Sequence, residues 1–239
     1  MAMPSSVNGI PAKYCRDNMK SDQDLLDLKN KIRGRWDATW DYDDHHNHGV
    51  NSEIEKELWR NEIATLLGHN QDLKILDIGT GTGFLALLLA RLNYDVTAVD
   101  WSMTMMQKAK EKATACQIPV HFEVQDAENL TFPDASFNAI VSRHVLWTLA
   151  DPFRASKEWV RVLKLGGMVI TDIPRQGSDS GKHHYGDEIG KKLPFGRGAE
   201  PETIVSMFKE AGLANINLKL LELQGEQHRK TLLIHGEKI

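Results

Sequence analysis

Leu73-Lys74-Ile75-Leu76-Asp77-Ile78-Gly79-Thr80-Gly81-Thr82-Gly83 runs directly into Phe84-Leu85-Ala86-Leu87-Leu88-Leu89-Ala90-Arg91-Leu92. A short apolar strand closes on an acidic residue, three glycines follow at alternate positions, and an apolar helix begins. Positions without a Cβ let a ligand approach the backbone closely. The helix behind them turns its free N–H groups and the positive end of its dipole toward that ligand. The stretch therefore predicts a first strand with a nucleotide-like ligand at its carboxyl end.

Downstream, short Val- and Ile-rich runs near 73–78, 95–99, 120–124, 137–142 and 167–172 alternate with helical patterns near 84–92, 103–117, 151–164 and 201–211. Such alternation implies right-handed crossovers and a parallel sheet covered on both faces. Two strand-like runs, Ala214 to Leu223 and Lys230 to His235, flank a polar turn around Gly225. They read as a hairpin, so the last strand enters antiparallel. Upstream, Asp22 to Ile32 has helical periodicity through Leu25, Leu26, Leu28 and Ile32, and a second helix runs from Glu53 to about Leu67, capped by Asn51 or Ser52 and stopped by Gly68. The segment from Pro174 to Glu200 fits neither element type, and a connection of that length in a compact domain reads as a functional lid.

The glycine spacing departs from the dinucleotide pattern Gly-x-Gly-x-x-Gly, which needs its third glycine where this chain has Phe84. Asp100 ends the second strand, 21 residues beyond Gly79, where a carboxylate accepts from a ribose diol in either cofactor class. Trp101 offers a flat apolar face beside it, and Ser102 caps the next helix. Then comes a third strand, an acidic turn and a fourth strand, Val120 to Val141, with Asp126-Ala127-Glu128-Asn129-Leu130-Thr131-Phe132-Pro133-Asp134 at its centre.

With these residues in order, the chain resembles the class I S-adenosylmethionine-dependent methyltransferases, most closely the small-molecule branch that includes the ubiquinone and menaquinone biosynthesis type. The matching stretches are Leu76 to Gly83, Val99 to Met103, Asp126 to Phe137 and Arg161-Val162-Leu163-Lys164-Leu165-Gly166-Gly167. The last departs from the family pattern, which usually has proline where Leu165 stands. The resemblance covers about residues 70 to 236. It implies an α/β, Rossmann-like doubly wound sheet of seven strands, mostly parallel with an antiparallel C-terminal strand, plus an N-terminal helical cap. Residues 1–70 would form the arm and cap, and 71–239 the core with its lid at about 174–200.

The resemblance also implies roles. Asp77 would order the glycine turn and meet the methionine ammonium of S-adenosyl-L-methionine, directly or through water. Gly79, Gly81 and Gly83 would line the methionine and ribose portion. Asp100 would hold the ribose hydroxyls and Trp101 the adenine, while Asp126 would accept from the adenine amine and the Ala127 N–H would meet the ring. Ser142 would contact the methionine end. Trp36-Asp37-Ala38-Thr39-Trp40-Asp41-Tyr42-Asp43 approximates a segment that folds over the cofactor, so Tyr42 would close on the methionine moiety and His45 or His48 could face the acceptor.

Methyl transfer from a sulfonium needs alignment and, for a protonated acceptor, removal of a proton. His144, just beyond the fourth strand, is the candidate base, against the alternative that it only packs or orients the loop. The acceptor is expected to be a small molecule reacting through O, N, S or C. His183, His184, Tyr185, Arg175 and Arg197 in the lid could contact it. The Asn/Asp-Pro-Pro-Tyr loop of enzymes that methylate exocyclic amines is missing, and no magnesium or thiolate site is expected. His45, His46, His48 and the aspartates around them match no metal-ligand spacing and are read as solvated. Two other readings stay open: a nicotinamide dinucleotide oxidoreductase, and a catalytically silent S-adenosylmethionine-binding protein.

The totals bound the partners. A net charge of −4 with both signs interspersed argues against duplex nucleic acid. Cys15 and Cys116 alone make no disulfide framework, which points to a reducing compartment. The Pro-, Ser- and Gly-rich amino end lacks a signal-peptide core, and Phe84 to Leu92 falls far short of the ~20 residues that span a bilayer. A cytoplasmic monomer or homodimer is the expectation.

Overall fold

The structure is a computed structural model that describes residues 6–7, 10–11, 21–39, 43, 52–68, 70–174, 180–223 and 229–239. After a two-residue antiparallel pairing of Ser6–Val7 with Ile10–Pro11, the elements are α1 (Asp22–Asp37), α2 (Glu53–Leu67), β1 (Lys74–Ile78), α3 (Phe84–Arg91), β2 (Asp95–Asp100), α4 (Met103–Ala115), β3 (His121–Val124), β4 (Phe137–Ser142), a 3-10 turn (Leu146–Thr148), α5 (Pro152–Val162), β5 (Leu163–Pro174), α6 (Ser180–Gly190), α7 (Pro201–Ala211), β6 (Leu213–Leu223) and β7 (Arg229–Lys238).

The seven strands lie in the order β3-β2-β1-β4-β5-β7-β6. The first five are parallel, and β7 enters antiparallel between β5 and β6. The order reverses between β1 and β4, which opens the crevice where ligands of such sheets bind, outside the carboxyl ends of the strands. Strand alternation sorts the core onto two faces. Leu76, Ile78, Val99 and Ile140 pack with Trp159 and Phe208 of α5 and α7. Ile75, Ala98, Val141 and Ile170 pack with Trp59, Ile63, Leu85 and Leu89 of α2 and α3. Trp59 and Trp159 are fully buried packing residues.

Local chemistry fixes the helix starts. Ser21, Ser52 and Ser102 accept the N–H of Asp24, Glu55 and Met105, Asp151 accepts that of Arg154, and Pro201 opens α7. Gly212 ends α7 in the left-handed conformation.

The sequence expectations shift in four places. α1 runs through Asp37 and so carries Trp36, five residues beyond the expected end. Its buried stripe is Leu28, Lys29 and Ile32, whereas Leu26 is exposed. β5 starts at Leu163, because a turn at Gly166, where φ is +72°, lets the chain re-enter the sheet. Leu165, at the proline position, is 76% exposed on that turn, so the substitution removes nothing from the core. The expected irregular insertion contains α6, kinked at Gly186. Its glycines lower helix propensity, and docking of His184 and Tyr185 against Trp36 and Trp147 stabilises it nonetheless. The turn around Gly225 lies outside the described residues.

Candidate functional site

The glycine turn is built as its sequence requires. The N–H groups of Gly79 and Thr80 both donate to the carbonyl of Val99, tying β1 to β2 just past their carboxyl ends. Gly79 and Gly81 have φ of +67° and +56°, and the Cβ that Gly79 lacks would fall 2.3 Å from Val145 Cγ2. At Gly81 a Cβ would meet nothing within 4 Å, so that position opens onto free space. Gly83, with φ of +92°, is the N-cap of α3 and offers no side chain to its N–H groups. Asp77 is buried beneath the turn and accepts the Thr80 hydroxyl at 2.7 Å. Burial pushes its pKa up to about 7, with the Thr80 and Ala86 hydrogen bonds opposing.

At the end of β2, Asp100 accepts the N–H of Gly81 and of Ser102, each at 2.8 Å. Burial raises its pKa to about 6 against those bonds. The Ser102 hydroxyl donates to Asp37 at 2.7 Å, which fastens the end of α1 to this corner. Lys29 and Arg33 of α1 lie 5.2 and 5.7 Å from the centre of the Trp101 ring.

The turn after β3 carries Asp126 and Glu128. Lys29 is 2.5 Å from Asp126 and 2.9 Å from Glu128, and all three are mostly shielded from solvent. Glu128 also accepts the N–H groups of Ala150 and Asp151. Two residues of the fourth matching stretch's neighbourhood hold this turn in place. Trp159 Nε1 donates to the Ala127 carbonyl at 3.0 Å, and Arg161 donates to the carbonyls of Leu130 and Phe132 and to Asp134.

Beyond β4, the Ser142 hydroxyl donates to the Ile78 carbonyl and is fully buried, so it braces β4 against β1 behind the pocket wall. Arg143 pairs with Glu55 at the start of α2, both nearly buried, and its guanidinium sits 4.1 Å from the Phe84 ring centre. His144 has a left-handed backbone, φ +62°. Its N–H donates to Asp172 Oδ1 at 2.6 Å, and its ring Nδ1 lies 3.1 Å from Asp172 Oδ2.

These parts surround one pocket of about 830 Å³, part of it open to solvent. Among the sequence-expected residues, Gly79, Gly81, Asp100, Trp101, Asp126, Ala127 and His144 line it, and Asp77, Gly83 and Ser142 stand behind it. Tyr42, His45 and His48 lie outside the described residues, as do Arg175 and the His183 side chain. Of residues 40–51 only Asp43 is described: it accepts the Thr82 hydroxyl and pairs with Lys112. His184 stacks on Trp36 at 4.2 Å, and Tyr185 accepts the Trp36 indole N–H at 2.7 Å, so both dock α6 onto α1. Arg197 is exposed. Sequence reasoning missed Lys29, Glu128 and Asp172. Lys29 had a signal, a lysine between Leu28 and Ile32 on an apolar stripe, and so did Asp172, a carboxylate inside an apolar strand run.

The strand order and the glycine turn define the class I methyltransferase fold. Residues 76–171 match the family model described as a methyltransferase domain. A demethylmenaquinone methyltransferase of Thermus thermophilus is 35% identical over 140 residues, 57% of this chain and 64% of the relative. A ubiquinone/menaquinone biosynthesis C-methyltransferase of Geotalea daltonii is 31% identical over 117 residues, 47% of this chain and 50% of the relative. The chain thus spans less than two thirds of the length of these curated relatives. In structure, magnesium protoporphyrin IX methyltransferase from Synechocystis PCC 6803, solved with bound SAM, superposes with a TM-score of 0.67 at 17% identity, over 90% of this chain and 98% of that one.

Proposed function

We propose that this chain transfers a methyl group from S-adenosyl-L-methionine to a small-molecule acceptor. The observation that carries the reading is the convergence of three separate stretches, Gly79 with Gly81, Asp100 with Trp101, and Asp126 with Ala127, on one pocket. The open space at Gly81, the buried carboxylate of Asp77 and the half-buried one of Asp100 suit a ligand with a ribose and an ammonium. Asp77 would answer the ammonium, Asp100 the ribose hydroxyls, Trp101 the adenine face and Asp126 the adenine amine. When bound, the cofactor supplies a methyl carbon already activated on a sulfonium.

The chain's own residues align and enclose the reactants. α1 lines the pocket through Lys29, Ile32, Arg33 and Trp36, and α6 docks on α1, so the two read as cap and lid. The family resemblance would add Tyr42 on the methionine moiety and His45 or His48 toward the acceptor. His144 is the candidate base. The relatives' names and the apolar pocket residues Ile32, Trp36, Val145 and Leu149 support an acceptor of the quinol type. No helix among the described residues is long and apolar enough to cross a membrane, and we read the protein as a cytoplasmic monomer or homodimer. The third glycine at 83 rather than 84 and the family match over 76–171 disfavour the dinucleotide oxidoreductase.

The test is methyl transfer from methyl-labelled S-adenosylmethionine to the reduced form of a short-chain naphthoquinone, with S-adenosylhomocysteine measured as product. Label in the organic phase with stoichiometric S-adenosylhomocysteine is expected. Cofactor binding with no turnover across quinol, phenol, amine and thiol acceptors would favour the silent binding protein instead.

A further inference from the structure

We propose that Asp172, backed by Thr231, positions His144 as the proton acceptor of this site. The acceptor then enters with a proton on the group to be methylated. The inference rests on the methyl-transfer reading, and its test is separable from it.

Asp172 is fully buried on β5, an unusual place for a carboxylate, and its contacts explain it. One oxygen accepts the His144 backbone N–H at 2.6 Å, and the other faces the ring Nδ1 at 3.1 Å. The Thr231 hydroxyl, delivered by β7, lies 3.1 Å from that second oxygen and 3.0 Å from the Ile173 carbonyl. His144 is held at both backbone and ring, in a left-handed conformation that a non-glycine residue adopts only when its surroundings enforce it. Such strain next to a pocket belongs to a site that fixes a side chain's direction.

The grip decides the ring's chemistry. Burial alone would raise the pKa of Asp172, but the charge and hydrogen bonds of His144 outweigh it and hold the pKa low. An ionised carboxylate only accepts, so the neutral ring carries its proton on Nδ1 and its lone pair on Nε2, on the side of the ring away from Asp172. The charged groups about the ring are Asp172 from β5 and the neighbouring Arg143 with its partner Glu55 from α2, and Thr231 is neutral. In the step this supports, the acceptor's X–H bond breaks and the proton forms an N–H bond at Nε2. The electron pair left on the acceptor forms the bond to the methyl carbon, and the carbon–sulfur pair departs with the sulfur. The positive charge passes from sulfur to the imidazolium, where Asp172 opposes it. Asp172 and Thr231 are therefore positioning residues, acting through His144.

The experiment is long-range proton–nitrogen NMR of the full chain labelled with 15N-histidine, with the His144 signals assigned by their loss in His144→Gln. The expected ring is protonated at Nδ1 and bare at Nε2 when neutral. Asp172→Asn, whose amide can present an N–H to Nδ1, shifts the neutral ring toward a proton on Nε2. Thr231→Val, which keeps the side chain's shape, shifts it by less. Both variants bind S-adenosylhomocysteine as the wild type does, so loss of that binding everywhere would fault the methyl-transfer reading rather than this one. A proton on Nε2 of the neutral wild-type ring, or an Nδ1 preference unchanged in Asp172→Asn with its amide spectrum intact, overturns the proposal. If the Asn variant does not fold, an unchanged preference in Thr231→Val does so.

Discussion

Replacing Lys29 with Met tests how the cap is held. Met preserves most of the apolar length that Lys29 buries on α1 and removes only the ammonium. What remains is Glu128, 2% exposed and still accepting two backbone N–H groups, beside Asp126 at 21% side-chain exposure. Stripping one partner from a buried ion pair costs about 3–5 kcal/mol, because the other charge stays buried and uncompensated. That cost depends on pH in a definite direction. Burial already raises the pKa of Glu128 above 4.5 despite Lys29, and losing the ammonium raises it further. A group with a raised folded pKa keeps its stability below the unfolded pKa and loses it as pH rises through the folded one. The variant is therefore least harmed at pH 4, below the ordinary 4.5, where Glu128 holds its proton, and most harmed at pH 8. Urea denaturation at the two pH values, with hydrogen exchange across residues 22–37, measures the loss and shows whether α1 detaches before the core unfolds. Lys31→Met, which breaks a solvent-exposed pair with Glu188, serves as the control and should change little. Equal losses in the two variants, or a Lys29→Met loss that ignores pH, would refute the reasoning.

Further outcomes follow from the glycine turn and from Asp77. Gly79→Ala forces a Cβ into Val145 at a left-handed backbone position and should cost about 1–3 kcal/mol from overpacking alone, read by denaturation. Gly81→Ala meets no protein atom, so its fold should survive with only backbone strain, while calorimetry finds S-adenosylhomocysteine binding weakened by the Cβ facing the pocket. Asp77, with its pKa near 7, stabilises the ligand-free protein fully below about 3.8 and loses that contribution as pH rises through about 7. An ammonium-bearing ligand needs the ionised form, so S-adenosylhomocysteine affinity should fall by about tenfold per pH unit below 7, with proton release on binding visible by calorimetry in two buffers.

Much of this was legible in the chain. β1, the glycine turn and α3 follow from one run of twenty residues, because strand, turn and helix cap are local choices written in adjacent positions. Asp100 and Asp126 were legible because one ends a strand and the other follows one in a regular βα succession. The antiparallel β7 was legible from the apolar runs either side of the turn near Gly225. The cap was harder. Lys29 meets Asp126 across 97 residues and Trp36 meets Tyr185 across 149, and no local period encodes such pairings. Leu26 entered the expected stripe because it is apolar, yet the helix face is decided by the carboxylates waiting at Asp126 and Glu128. Asp172 went unread, since its partner, His144, arrives from a neighbouring strand end.

Calorimetry with S-adenosylhomocysteine, and with a reduced nicotinamide dinucleotide as competitor class, tests the central claim most directly. One-to-one binding of S-adenosylhomocysteine, abolished by Asp100→Leu and absent for the dinucleotide, is the expected result. Binding of the dinucleotide by the folded protein, with none of S-adenosylhomocysteine or S-adenosylmethionine, would contradict the assignment of this pocket.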